Sequence, residues 1–275
     1  MPLAPKRKVA DALRQASVNG ATLSYSDVGT GAPLVCLHGG MGVDGRTLRV
    51  PGVLDLSTRG LRVIVPDQRG HGASSRGADS EYTHHTWASD VRALAEQLGL
   101  ARFALLGHSY GGFLALEYAV RWPDSLTHLV LVSTSAGPVR ASTATFATDA
   151  ELGRHFRARW PLFFAGDDKQ WPLFDGLDFS AAAYNAAFAR ELPAYDRRAQ
   201  AEALNVPLLL VVGSQDAYRP HMEWLAARAR LASLCVIQRV GHFPFLEAPD
   251  EFQSVVAAFV TRDFAIGPAI DDRPR

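Results

Sequence analysis

The chain has 275 residues, 48% of them hydrophobic and 20% charged, and its 28 Lys plus Arg balance 28 Asp plus Glu. That length suits one large α/β domain with an insertion, and the balanced charge leaves no basic footprint for nucleic acid or an anionic membrane. The expected partner is a small molecule or short peptide, bound by a monomer or a homodimer.

The first residues are basic and polar. The cluster Lys6-Arg7-Lys8 has no apolar run behind it, because Asp11, Arg14 and Gln15 interrupt the sequence. No signal peptide is expected, and no stretch reaches the roughly 18 apolar residues of a membrane span. The expected location is the cytoplasm.

Short apolar runs then alternate with helical patterns. Strands are predicted at 22–28, 33–37 and 61–66, then a helix at 83–98, a strand at 102–106, a helix at 111–121 and a strand at 126–132. Later come a strand at 206–212, a helix at 220–230, a strand at 234–240 and a helix at 249–260. Most of these strands are Val/Leu/Ile-rich without alternation, which suits parallel strands buried on both faces. Their succession predicts a mostly parallel sheet covered by helices.

Residues 137–204 break the rhythm. They hold no convincing buried strand but eleven of the 26 aromatics, from Phe146 to Tyr195. Such an insertion reads as a helical lid in which most rings pack on one another and a few face a ligand. Trp160, Phe163, Phe164 and Tyr184 are the candidates, with Phe243 and His38 from outside it. Cys36 and Cys235 lie in apolar runs and read as small buried hydrophobes.

The strongest chemical signal is Gly107-His108-Ser109-Tyr110-Gly111, between an apolar run and a helical stretch. This is the strand–turn–helix setting of a nucleophile elbow, in which small neighbours let a serine hydroxyl project above the sheet. A serine needs a base, and the base needs an orienting acid. Asp216 follows one predicted strand and His242 follows the next, where sites of open α/β sheets form. The end of the 126–132 strand reads Ser133-Thr134-Ser135 and offers no carboxylate to compete with Asp216. The oxyanion of a tetrahedral intermediate needs two N–H donors. They are expected from Tyr110 and, after the 33–37 strand, from Gly40, with Met41 as the alternative. His38 itself reads as structural, bracing that loop, rather than as a base.

Gly40-Met41-Gly42-Val43-Asp44-Gly45 also matches G-x-G-x-x-G, with Asp67 placed 22 residues past Gly45 as a ribose acid would be. Pro51 and Gly52 spoil the helix a nicotinamide cofactor would need. No zinc-spaced Cys/His cluster and no phosphate-loop lysine is present, so no metal or cofactor is expected. His84-His85 and His221 read as helix-start residues, the first pair solvated.

Taken together, His38-Gly39-Gly40, Asp67-Gln68-Arg69-Gly70-His71-Gly72-Ala73-Ser74, Gly107 to Gly112, Gly213 to Asp216 and Gly241-His242 resemble the α/β-hydrolase superfamily over about residues 18–262. Within it the chain is most similar to the proline iminopeptidase group. The resemblance implies a core of 18–136 and 205–262, a helical cap at 137–204 between strands six and seven, an arm at 1–17 and a tail at 263–275. It makes the Asp67–Ser74 stretch a structural turn. It implies hydrolysis of an ester or amide of a small, mostly apolar substrate, by a carboxylesterase or an aminopeptidase. Lactone or carbon–carbon bond hydrolysis is open to the same triad. Met41 stands where that group usually has Pro, and Tyr110 where it has Trp. Glu191, Asp196 and Glu202 are the acids available in the cap to grip a free amine. A nicotinamide oxidoreductase and a non-catalytic binding protein are the contrasting classes.

Overall fold

The computed structural model describes residues 13–139, 143–166 and 170–262. Eight strands form one sheet in the order β1-β2-β4-β3-β5-β6-β7-β8. These are β1 (Arg14–Val18), β2 (Ala21–Val28), β3 (Ala32–Leu37), β4 (Leu61–Pro66), β5 (Phe103–His108), β6 (Leu126–Val132), β7 (Leu208–Gly213) and β8 (Ala232–Ile237). β1 pairs antiparallel with β2 and β2 antiparallel with β4, and all later pairings are parallel.

Helices alternate with the strands. They are α1 (Pro51–Leu54), α2 (His84–Gln97), α3 (Tyr110–Arg121), α8 (Arg219–Ala226), α9 (Pro244–Glu247) and α10 (Pro249–Val260), with α4 (Asp149–Arg159), α5 (Trp171–Asp175), α6 (Ala181–Ala186) and α7 (Arg198–Ala203) in the insertion. Local chemistry sets several starts. Thr83 caps α2 through its hydroxyl, and Thr148 with Glu151 forms a reciprocal capping box on α4. Arg157 and Arg159 close α4 at the end where the helix dipole is negative.

The unbroken apolar character of the central strands has a direct consequence. Leu105, Leu129, Leu131, Leu208 and Leu210 join the core under α2, α3 and α8. Their neighbours Ala104, Leu106, Val130, Leu209 and Val211 join a second core under α1 and α10. Side chains alternate across a strand, so a strand buried on both faces must be apolar at every position. The second core continues into the cap through Leu152, Phe156, Trp160, Phe164, Phe174 and Tyr184.

Several expectations need correction. Arg14–Val18 is the edge strand β1 and not part of a loose arm; its mixed sequence RQASV hid it, because only Ala16 and Val18 face the core. Residues 1–12 and the 263–275 tail lie outside the described residues. β8 begins two residues earlier than predicted and ends at Ile237, so His242 rides on a loop beyond it. Cys36 is buried, whereas Cys235 is partly exposed on the edge strand β8. His84 is buried, not solvated.

Candidate active site

β5 delivers Ser109 directly into α3, with a backbone φ of 53°. That is the left-handed region, costly for a residue with a side chain. The surroundings enforce it. Ser109 N–H donates to the Val132 carbonyl at 2.9 Å, and the Ser109 carbonyl accepts from Gly112 N–H at 2.9 Å and Thr134 Oγ1 at 2.7 Å. The flanking glycines leave no room for a Cβ. One on Gly111 would lie 2.2 Å from the Leu37 carbonyl oxygen, and one on Gly107 would lie 2.3 Å from the Gly111 carbonyl oxygen.

The three residues singled out from the sequence meet in one hydrogen-bonded line. His242 Nε2 stands 2.9 Å from Ser109 Oγ. On the other side of the ring, Nδ1 stands 3.1 and 3.2 Å from the two oxygens of Asp216. The Asp216 side chain is 2% exposed, so burial by itself would raise its pKa. The charge and hydrogen bond of His242 outweigh this, helped by the Tyr218 N–H at 3.0 Å, and hold the carboxyl at about 2. The acid is therefore ionised at neutral pH.

The loop carrying His242 is tied to the cap. His242 N–H donates to the Phe163 carbonyl at 2.7 Å. Glu247 accepts from Gly241 N–H at 2.9 Å and from Ala165 N–H at 2.8 Å, joining the two segments through one carboxylate. The rings of Phe163 and Tyr218 flank the imidazole at 5.4 and 5.5 Å. Glu247 and Tyr218 were not anticipated. Glu247 lies five residues past His242, and nothing in the spacing marks it as a bridge.

The loop after β3 lies against the serine. A Cβ on Gly39 would sit 2.7 Å from Ser109 Cβ, and Gly40 follows with φ +81°. Gly42 N–H is committed to His71 Nε2 at 2.9 Å. Among the described residues none accepts a hydrogen bond from the N–H of Gly40, Met41 or Tyr110. Tyr110 opens α3, where the first N–H groups have no intrahelical acceptor.

His38 does not reach substrate space. It is fully buried, its Nε2 accepts from Gln68 N–H at 3.1 Å, and its Nδ1 lies 3.2 Å from the Gly39 carbonyl. Both ring nitrogens are spent on backbone, so His38 braces the loop. Trp160, Phe164 and Tyr184 are also buried. Phe164 stacks on Phe243 at 5.2 Å and Tyr184 on Phe188 at 4.3 Å, while the half-buried Phe163 is the one of these cap rings set against His242.

The glycine-rich loop that mimics a dinucleotide motif is closed on itself. Asp67 Oδ1 accepts from Gly45 N–H at 2.8 Å and pairs with Arg49, and Oδ2 accepts from Ala73 N–H at 3.1 Å. The acid that would bind a ribose is used to hold two loops together. No group of side chains able to hold a metal occurs among the described residues, and no described helix is long and apolar enough to cross a membrane.

A mostly parallel sheet with a positive-φ serine at the strand–helix junction, and an acid and a histidine after later strands, defines the α/β-hydrolase fold. The chain belongs to the alpha/beta hydrolase family, whose model matches residues 34–254. It is 26% identical over 282 residues to a 2-hydroxymuconate semialdehyde hydrolase of Pseudomonas sp. (strain CF600), covering 90% of this chain and 93% of that one. It is 26% identical over 262 residues to a proline iminopeptidase of Lactobacillus helveticus, covering 82% and 88% respectively. Among solved structures, the enol-lactonase from Burkholderia xenovorans LB400 superposes with a TM-score of 0.78 at 26% identity, covering 90% of this chain and 100% of that one.

Proposed function

We propose that this protein is a serine hydrolase that cleaves an ester or amide of a small, mostly apolar substrate through an acyl-Ser109 intermediate. The observation that carries the reading is the 2.9 Å contact between His242 Nε2 and Ser109 Oγ, continued to the ionised Asp216. Family membership and the hydrolases among its relatives support it.

In the proposed cycle Ser109 Oγ bonds to the substrate carbonyl carbon while His242 takes the Oγ proton. Asp216 holds the imidazole in its tautomer and stabilises the imidazolium. The oxyanion forms against the N–H groups of Tyr110 and Gly40, with Met41 as the alternative donor. The bond to the leaving group breaks and His242 hands it the proton. Water then repeats the sequence: His242 takes its proton, hydroxide adds to the acyl carbon, and Ser109 leaves as the restored alcohol. Phe163, half-buried beside His242, is the proposed apolar wall, with the buried Phe243 packed behind it.

An ester or lactone fits better than a peptide with a free amino terminus. Of the three cap acids named for gripping an amine, Glu191 and Asp196 are otherwise engaged, which leaves Glu202. Glu191 accepts from His84 N–H at 2.8 Å, and Asp196 pairs with Arg198 at 2.6 Å. Comparing p-nitrophenyl esters of increasing chain length with prolyl and alanyl arylamides tests this. Ester turnover with no arylamide cleavage is expected; the reverse would make the protein an aminopeptidase.

A further inference from the structure

His108 stands between the serine and the loop of the histidine, and the reaction as written does not use it. It is the last residue of β5 and is fully buried. Its Nε2 lies 2.8 Å from the main-chain carbonyl oxygen of His242. A carbonyl can only accept, so Nε2 carries the proton and donates. Burial, with a smaller contribution from His242, lowers the His108 pKa to about 3, so the ring is neutral and Nδ1 is bare. Among the described residues Nδ1 has no hydrogen-bond partner.

That bare nitrogen separates two explanations for a histidine here. The ring packs 5.0 Å from each of His242, Phe243 and Phe245. If filling this aromatic cluster were its purpose, a phenylalanine would do so with no unpaired buried nitrogen. What histidine adds is the single N–H aimed at the His242 carbonyl. The same side chain abuts the third loop of the site: a Cβ on Gly39 would lie 3.1 Å from His108 Nδ1. One residue thus touches the serine turn, the histidine loop and the loop that leads to Gly40.

We propose that His108 is a positioning residue for the base, its Nε2–H fixing the backbone of His242 so that the imidazole meets Ser109 Oγ. The proposal rests on His242 being that base. The bond acts where loop placement matters most, since β8 ends at Ile237 and His242 lies five residues beyond it. A shift of the base by a fraction of an ångström lengthens the proton path, and misplacement of about 1 Å costs on the order of 100-fold in rate.

The test compares His108→Phe with His108→Gln on p-nitrophenyl butyrate. Phe keeps the ring and removes the donor; Gln keeps an N–H at similar reach and removes the ring. His108→Phe is expected to lower kcat about 10- to 100-fold with KM nearly unchanged, and His108→Gln to recover most of it. Wild-type kcat in the Phe variant overturns the proposal, and so does an equal loss in both variants. If the Phe variant fails to fold, His108→Asn, whose shorter amide falls short of the carbonyl, takes its place with the same expectations. Fluorophosphonate labelling of wild type and of His242→Ala checks the underlying reading separately. Labelling that ignores the His242 change removes the base itself, whereas an active Phe variant removes only the role of His108.

Discussion

The hydroxyl of Tyr110 sits 2.7 Å from Nε2 of His84 and reaches the Ala187 carbonyl at 3.3 Å. Tyr110 follows the nucleophile, and Ala187 opens a π-helical turn of the cap, Ala187–Glu191. Since the hydroxyl donates to Ala187, His84 Nε2–H must donate to the hydroxyl. His84 N–H in turn bonds Glu191 at the other end of the same turn. Core helix, serine turn and cap are thus joined through one phenol.

Tyr110→Phe removes both bonds and keeps the ring. Each is a net hydrogen bond of about 1 kcal/mol. The expected result is a KM raised about threefold to tenfold with a smaller fall in kcat, read from steady-state ester hydrolysis. Unchanged KM would mean that the cap is held without this hydroxyl.

The ion pair of Arg69 and Asp90 is buried, with side chains 3% and 2% exposed. Arg69 Nε and a second guanidinium nitrogen reach both Asp90 oxygens at 2.8 and 2.9 Å. Asp90→Ala leaves the buried Arg69 with only the Asn19 carbonyl at 3.0 Å and a looser contact to the exposed Glu81 at 3.4 Å, and a cost of about 3 kcal/mol is expected. A lowered urea midpoint with an unchanged slope checks it.

Gly111→Ala should abolish ester hydrolysis or soluble expression, because its Cβ would lie 2.2 Å from a backbone oxygen of β3. Gly166→Ala is the control: among the described residues nothing lies within 4 Å of its Cβ. Activity and melting temperature of the two variants should separate cleanly.

Much of this was legible because the signals are local. An apolar run, Gly107 to Gly112 and a helical stretch specify the turn at Ser109, since a Cβ-free neighbour is a requirement of the backbone itself. Asp216 and His242 were legible because each follows a strand. The partners that steady them were not. Glu247 bridges the cap and the His242 loop, and Tyr218 packs its ring on His242 from the loop after β7; both contacts are set by how separate segments meet, and sequence spacing carries no record of that. His84 was misread for the same reason: it begins a helix, where solvent is the default, and Tyr110 from the core with Tyr195 and Glu191 from the cap cover it. β1 was missed because an edge strand needs just one apolar face.

Acid should destabilise the protein from its histidines first. Burial, with smaller nearby charge effects, depresses His38, His71 and His108 to about 3, and His84 to about 4. In the unfolded chain they titrate near 6.5. Between these values the unfolded state binds more protons, so stability falls as pH drops from about 6.5 toward 3. Each group contributes up to about 1.4 kcal/mol per pH unit. Asp216 adds its loss only below about 4, as pH falls through its folded pKa of about 2. Melting temperature measured from pH 7 to 4 should decline steeply, and His71→Gln should flatten the curve. A constant melting temperature over that range would refute the assignment of neutral buried rings.

The most direct test of the proposed chemistry is covalent labelling with a fluorophosphonate, read by mass spectrometry of the modified peptide. The account predicts a single adduct on Ser109, slowed at least 1,000-fold in His242→Ala, and hydrolysis lowered about 10^4- to 10^6-fold in Ser109→Ala. Ester hydrolysis by Ser109→Ala at the wild-type rate, or an adduct on some other residue, would contradict it.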